Sequence, residues 1–438
     1  MKLKPLFLAT LLAASGWAQA ADLLETFHAA QANDPVFAAA RATQQAGQEK
    51  LPQGRSLLMP SINLSANTTS NGQNVNYLGP PLSVLSGDYR YNSNGYGITL
   101  VQPLFRQQNW QAYSESQLQA EQAGIQLKIA EQDLIVRVAQ AYFDVLIAQD
   151  SVALAGAQKT AISEQLDQAK RNFEVGSATI TDTLEAQARY DLTGAQQIAA
   201  QNNLEIKRNV LQQLVNAKPG DLAPLGKELK LELPQPADME KWVNEAQLNS
   251  LQLAIAQAAA EIADKEVARS RGGHYPTVDL VANYSTNSVG GSMASDTTSK
   301  SIGLQLNMPL FEGGAVNSKW REAEANRERA RQELENARRT VEQQTRQAYL
   351  GVVSGIAQVK ALQQALASSV SVLDASKLGQ EVGVRTNLDV LNAQQQLFST
   401  RRDLYQAQYN YLLSELRLKQ AAGSLGEEDL SKVNRALH

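Results

Sequence analysis

The sequence contains no cysteine, which excludes disulfide bonds and thiolate metal sites. Aromatic residues make up only 6% of the chain, and the formal net charge is only -4, with acids and bases interspersed. That balance predicts no nucleic-acid partner. After the first twenty residues, no apolar run approaches the roughly 20 residues that a membrane-spanning helix needs. If the chain crosses a membrane, it is therefore predicted to do so as a β-barrel.

Motifs of catalysis and cofactor binding are also missing. The three histidines, His28, His274 and His438, are scattered along the chain, and there is no Gly-x-Ser-x-Gly, P-loop or His-Glu-x-x-His pattern. The carboxylates fall mainly on predicted helical faces. We therefore predict that the protein is not an enzyme and has neither a metal nor a cofactor.

The N-terminus has the pattern of a secretory signal peptide. Lys2 and Lys4 precede an apolar run from Leu6 to Ala14, and Ala18-Gln19-Ala20 forms a small-residue cleavage site. The mature chain is predicted to start at Ala21. Without cysteine it has no site for an N-terminal lipid anchor.

One segment occurs twice in the sequence. Glu174-Val175-Gly176, followed by Thr179 and Asp182, recurs as Glu381-Val382-Gly383, followed by Thr386 and Asp389. Two similar halves predict a duplicated architecture, and a Pro/Gly-rich joint separates them. The predicted organisation is a signal peptide at 1–20, a first repeat at 21–217, a linker at 218–236, a second repeat at 237–424 and a C-terminal segment at 425–438.

Each half contains two short segments in which apolar and polar residues alternate. They predict a β-hairpin at 61–103 and another at 276–309, with turn-rich connections. One interpretation is four strands of a barrel with a lipid-facing side; the alternative is a soluble sheet with one wet face. Four strands are too few to close a barrel, so the barrel interpretation requires several copies of the chain.

The remaining sequence predicts helices, including very long ones at 106–171 and 313–378. Turns at 172–182 and 379–386 end these two helices. Shorter helices are predicted from Leu23 to Leu51 and from Met239 to Arg271. In the first long helix, apolar residues form two stripes on opposite sides, which predicts a neighbour on each side, as in a cylinder of helices. One stripe includes Leu134, Val138 and Val145, and the other includes Ile129, Val136 and Ile147.

Several segments together resemble the TolC family of outer-membrane channel proteins. They are His274 to Leu280, Met308 to Gly314, Gln168 to Gln187, Gln380 to Gln394 and Tyr409 to Leu412. The resemblance implies an α+β membrane protein that forms a homotrimer. Its 12-stranded transmembrane β-barrel, with four strands from each chain, would continue into a long periplasmic α-helical barrel, with an equatorial belt near 218–236 and the C-terminus.

The same resemblance implies an exit duct of a tripartite efflux or type I secretion system in the outer membrane. The implied partners are two further copies of the chain, a periplasmic adaptor (membrane fusion) protein, an inner-membrane transporter of the ABC or proton-driven kind, and outer-membrane lipid. The alternative function is a secreted coiled-coil structural protein or adhesin without a conduit.

The family's functional residues map onto the two repeated turns. The resemblance implies a gate latch at Thr181, Asp182, Arg385 and Asp389, and a pore constriction at Asp389 and Asn392. It also implies adaptor docking at Val175, Gly176, Ser177, Val382, Gly383 and Val384. Asn392 stands where the family's best-known member has a second acidic ring, and Gln380 where it has a tyrosine latch, so the constriction is expected to be less cation-selective and less tightly closed. The structural alternative is that Asp182 and Asp389 cap helices.

Overall fold

The computed structural model describes residues 22–218, 220–226, 229–291 and 294–437; the predicted signal peptide and His438 lie outside them. In chain order the helices are α1 (Leu23–Asn33), α2 (Pro35–Gln48), α3 (Lys50–Ser56), α4 (Gln107–Glu174), α5 (Ile180–Val215), α6 (Met239–Asn249), α7 (Leu251–Arg271), α8 (Ala315–Glu381), α9 (Asn387–Ala421) and α10 (Glu427–Asn434). The strands are β1 (Ser61–Val75), β2 (Gly87–Phe105), β3 (Thr277–Val289) and β4 (Ser295–Asn307).

The four strands form one antiparallel sheet in the order β1-β2-β3-β4. The pairing of β2 with β3 joins the two sequence halves, with Leu100 opposite Ala282. Apolar side chains such as Ile62 on β1 and Leu304 on β4 are exposed. Since β1 and β4 are the outermost strands, each has a neighbour on only one side within the described part of the chain.

Two of the shorter predicted helices are broken in the structure. The helix predicted from Leu23 to Leu51 is interrupted at Asp34, whose ψ of 118° is extended, because Pro35 disfavours helical backbone in the residue before it. The helix predicted from Met239 to Arg271 is interrupted at Ser250, with a closely similar ψ of 122°. The segment from Met239 to Arg271 contains neither glycine nor proline, so the sequence did not predict this second break.

The described chain divides into two compact units, and each draws on both sequence halves. One unit comprises the described residues up to Ala39, Ile129–Ser250 and Thr340 onward; the other comprises Ala40–Lys128 and Leu251–Arg339. The repeat boundaries therefore do not coincide with the compact units, because the long helices α4 and α8 contribute residues to both.

The unit that contains the sheet has charged groups in its interior. Arg106, between β2 and α4, donates two hydrogen bonds to the buried carboxylate of Asp279 on β3, at 2.8 and 2.6 Å. Glu115 on α4 is buried near Glu266 and Arg269 of α7, with 3.4 Å between Arg269 Nε and Glu115 Oε1. Burial raises the pKa of Glu115 to about 7.

The other unit has an aromatic core. Tyr142 and Phe143 on α4 are fully buried, and Phe143 lies 5.7 Å, centroid to centroid, from Tyr409 on α9. The Tyr409 hydroxyl donates a hydrogen bond of 3.0 Å to Asp150. Just after α9, Gly423 has a φ of +76° and packs against the backbone of Asn249 and Ser250, where α6 ends.

Each predicted stripe of α4 is only partly buried within one chain: Phe143, on the stripe of Ile129, is buried, and Val152, on the stripe of Leu134, is half-buried. Leu134, Val138 and Val145 are buried, whereas Ile129, Val136 and Ile147 are only half-buried. The second stripe therefore still offers apolar surface to a further neighbour. No helix in the described part of the chain combines the length and apolar character that crossing a bilayer demands.

Candidate functional site

The two repeated turns have nearly the same backbone geometry. Gly176, after α4, and Gly383, after α8, both have a φ of 76°, a conformation that favours glycine. Equivalent hydrogen bonds close the two turns: Ser177 N–H donates to Asn172 O, and Val384 N–H donates to Gly379 O, each at 2.8 Å. The duplication seen in the sequence is therefore also a duplication of local structure.

Asp182 and Asp389 are both helix-capping residues. The Asp182 carboxylate accepts hydrogen bonds from Thr179 N–H at 2.9 Å and from the Thr179 hydroxyl at 2.8 Å. Asp389 accepts the same two bonds from Thr386, at the same two distances. These reciprocal capping boxes satisfy orphan donors at the starts of α5 and α9. Hydrogen bonding to Thr386 also lowers the pKa of Asp389 below its ordinary value.

Of the predicted latch residues, the chain brings together only Arg385 and Asp389. Arg385 Nη1 lies 3.8 Å from Asp389 Oδ1, and both side chains are well exposed. At that distance and exposure the attraction is weak. Thr181 and Asp182 lie on the other turn, and no hydrogen bond or ion pair joins either of them to Arg385 within the described chain.

Asn392 has a partner that the sequence did not suggest. Arg189 of α5 donates hydrogen bonds to Asn392 Oδ1 at 3.1 Å and to Gln395 Oε1 at 2.5 Å, both on α9. These partners are more than two hundred positions apart in the sequence. The one sequence signal is that Arg189 follows Asp182 by seven residues, which places it two helical turns along the same face of α5. Gln380 donates to Asn387 Oδ1 at 3.2 Å, close to the Arg385 turn.

Small apolar clusters pack beneath the turns. Leu391 of α9 is buried with Ile162 and Leu166 of α4 and Ala186 of α5, so one cluster joins elements from both halves. A second cluster joins Leu373 of α8 to α9. The two turns are thereby held side by side on a packed support.

The tips of the turns expose apolar side chains. Val175 is 77% exposed, Val382 64% and Val384 76%. Ser177 lies beside Val175 and donates its hydroxyl proton to Asn172 O at 3.0 Å. A set of aliphatic side chains this exposed is typical of a surface that meets a partner.

The described residues contain no group of three or more His, Cys, Asp or Glu residues that could hold a metal ion. The turns instead offer weak ion pairs, amide hydrogen bonds and exposed valines. Such contacts suit reversible association between surfaces and not bond-making chemistry.

Comparisons with known proteins agree with this architecture. The model of the family described as outer membrane efflux protein matches residues 26–217 and 242–424. Outer membrane protein TolC of Escherichia coli (strain K12) is 34% identical over 97% of this chain and 86% of its own length. The alkaline protease secretion protein AprF of Pseudomonas aeruginosa is 34% identical over 94% of this chain and 86% of its own length.

Solved structures show the same fold at lower identity. The outer membrane protein VceC of Vibrio cholerae superposes with a TM-score of 0.78 at 19% identity, covering 92% of this chain and 96% of that one. The Campylobacter jejuni CmeC outer membrane channel gives 0.80 at 16% identity, covering 95% and 90%. The predicted α+β fold class and the family resemblance are thereby confirmed. The chain belongs to the outer membrane efflux protein family: it is an outer-membrane channel protein and not an enzyme.

Proposed function

We propose that three copies of this chain form one exit duct through the outer membrane and into the periplasm, gated at the periplasmic end by the two turns. The observation that carries the proposal is the four-stranded sheet, whose outermost strands β1 and β4 each lack a neighbour on one side among the described residues. Four strands are too few for a barrel, whereas three copies bring twelve. The exposed apolar residues of β1 and β4 then face outer-membrane lipid.

The half-buried stripe of α4 supports the same assembly. Ile129, Val136 and Ile147 are partly covered within one chain, and a neighbouring copy would complete their burial. A ring of such contacts produces a helical barrel with a watery interior.

In this proposal, Arg385 contacts Thr181 and Asp182, at the turn of a neighbouring α4–α5 pair, when the entrance is closed. Each exposed contact of this kind contributes about 0.2–1 kcal/mol. Three of them hold the gate with no more than about 3 kcal/mol, which binding of a partner can overcome. The three Asp389 carboxylates and Asn392 line the constriction, and the carboxylates attract cations.

The exposed valines form the docking surface for a periplasmic adaptor. The two turns have equivalent backbone geometry, so each chain has two similar apolar docking surfaces. One consists of Val175, Gly176 and Ser177, and the other of Val382, Gly383 and Val384. The adaptor connects the duct to an inner-membrane transporter of the ABC or proton-driven kind, which supplies the energy.

Assembly is tested by electrophoresis of an outer-membrane fraction with and without boiling. A trimer band in the unboiled sample that disappears on boiling supports the proposal. A soluble monomer in the periplasm would instead favour a secreted structural protein.

Gating is tested by single-channel recording in planar bilayers with Arg385→Ala and Asp182→Asn. The asparagine retains an oxygen that can accept the hydrogen bonds from Thr179. The substitution therefore removes the charge but keeps the capping box. Both variants should raise conductance or open probability. Arg402→Ala removes the same charge from an arginine paired with Asp403 on its own helix and should change neither. Unchanged gating in the Asp182→Asn/Arg385→Ala double variant would exclude the latch.

The cargo is assigned by comparing a deletion strain with its parent. Relatives include both a protease secretion protein and efflux proteins. Sensitivity to antibiotics and detergents supports small-molecule efflux, whereas loss of secreted proteins supports type I secretion.

A further inference from the structure

One face of α9 carries the predicted constriction. Asp389, Asn392 and Gln395 follow each other at three-residue intervals and all retain exposure, whereas Val390 and Leu391 between them are buried. Residues spaced this way lie along one side of a helix. Arg189, from α5, adds its side chain to this polar face through its bonds to Asn392 and Gln395.

The contacts of Arg189 fix its position without neutralising it. Its guanidinium donates from two nitrogens to two oxygens, which restrains both the location and the plane of the group. Both partners are neutral amides, so neither compensates the positive charge.

We propose that Arg189 determines the ion selectivity of the periplasmic entrance. This inference rests on the proposed function, because it needs the α9 face to line a pore. Each chain then contributes a carboxylate at Asp389 and, at the level of Asn392, a guanidinium. The second ring of the constriction is cationic, so it opposes the cation preference of Asp389 and binds carboxylate or phosphate groups of passing anionic solutes.

The distances make the two rings act on the same ion. Three residues of helix correspond to about 4.5 Å along the axis. Charges in physiological salt are screened over about 8 Å, so the potentials of the two rings overlap. Removing one ring therefore changes the field at the other.

The test uses the full-length protein in planar bilayers with a KCl gradient across the membrane. Arg189→Gln should raise the permeability ratio of K⁺ to Cl⁻ about threefold, because a unit charge several ångströms from an ion in water contributes energy of the order of RT. Arg189→Lys, which keeps the charge, should stay close to the parent protein. Arg208→Gln is the matched control: it removes the same charge from the same helix, where Arg208 pairs with Glu205.

A second variant separates charge from structure. In Asn392→Asp, the new carboxylate lies beside Arg189 and should change the permeability ratio less than the same substitution made together with Arg189→Gln. A permeability ratio in the Asn392→Asp variant that does not rise further when Arg189→Gln is added would overturn the proposal. So would an Arg189→Gln variant whose open probability changes while its reversal potential does not.

These failures differ from failure of the proposed function. A parent protein that forms no channels overturns both proposals. A parent protein that conducts, with an Arg189→Gln variant of unchanged selectivity, overturns the role of Arg189 alone.

Discussion

Replacing Arg106 by glutamine should destabilise the sheet-containing unit substantially. Arg106 donates two short hydrogen bonds to Asp279. The side chain of Asp279 is only 11% exposed, so the substitution leaves a buried carboxylate without its counter-charge. Breaking a buried ion pair in this way costs about 3–5 kcal/mol. Because the Arg106 side chain is 38% exposed and water can partly replace it, we expect a smaller loss than this, about 2–3 kcal/mol.

The assay is thermal unfolding of the purified protein in detergent, followed by circular dichroism. For a chain of 438 residues, a loss of that size should lower the unfolding temperature by about 2–3 °C. Combining Arg106→Gln with Asp279→Asn should recover part of the loss, because the double variant buries no unpaired charge. Arg339→Gln is the control: its ion pair with Glu335 is exposed, and its removal should cost less than about 0.5 kcal/mol.

The reasoning is refuted if Arg106→Gln unfolds at the same temperature as the control. It is also refuted if the double variant is less stable than the single one by the full additive amount. In either case the carboxylate would have found solvation that its burial does not suggest.

Three further variants test other parts of the structure. Gly423→Ala should cost more than about 3 kcal/mol and reduce the yield of folded protein, because its φ is +76° and the new Cβ would lie 2.2 Å from Asn249 O; Gly426→Ala, which meets open space, should fold normally. Glu115→Gln should gain stability relative to the parent as the pH rises from 5 to 8: the folded pKa is raised to about 7, so the parent's carboxyl is protonated without cost at low pH and must ionise while buried at high pH. A constant difference in unfolding temperature would contradict this. Thr179→Ala should increase hydrogen exchange in the first turn of α5, by an amount equivalent to about 1 kcal/mol, because it removes the hydroxyl that accepts from Asp182 N–H, whereas Thr179→Ser should change it little.

The duplicated architecture was accessible from the sequence because local rules specify it. Proline-free, apolar-periodic runs predicted the long helices, and alternation predicted the strands. The strands themselves are longer than the alternating apolar runs: β1 extends to Val75 and β2 starts at Gly87. Their outer parts are rich in Ser, Thr, Asn and Tyr and are set by cross-strand pairing, which a hydrophobic pattern does not record.

The candidate site could be predicted only in part from the sequence. The repeated glycines marked both turns in the sequence. Capping by Asp182 and Asp389 was only an alternative there, and the structure adds the hydrogen bonds to Thr179 and Thr386 that complete both capping boxes. The contact of Arg189 with Asn392 depends on how α5 and α9 pack over Leu391, and no local rule relates positions two hundred residues apart. The break at Ser250 is likewise a tertiary effect, since its own sequence would continue the helix.

The two unpaired borders of the sheet have a consequence for biogenesis. A newly exported chain carries hydrogen-bonding edges 15 and 13 residues long on β1 and β4, together with exposed aliphatic side chains. Such edges accept any extended segment that they meet. In the trimer proposed above, closure of the barrel competes with these stray encounters, and because it needs three chains at once, it slows steeply as the chains become dilute. In that assembly, a chaperone or a lipid surface that covers both borders would protect the chain until the other two copies bind.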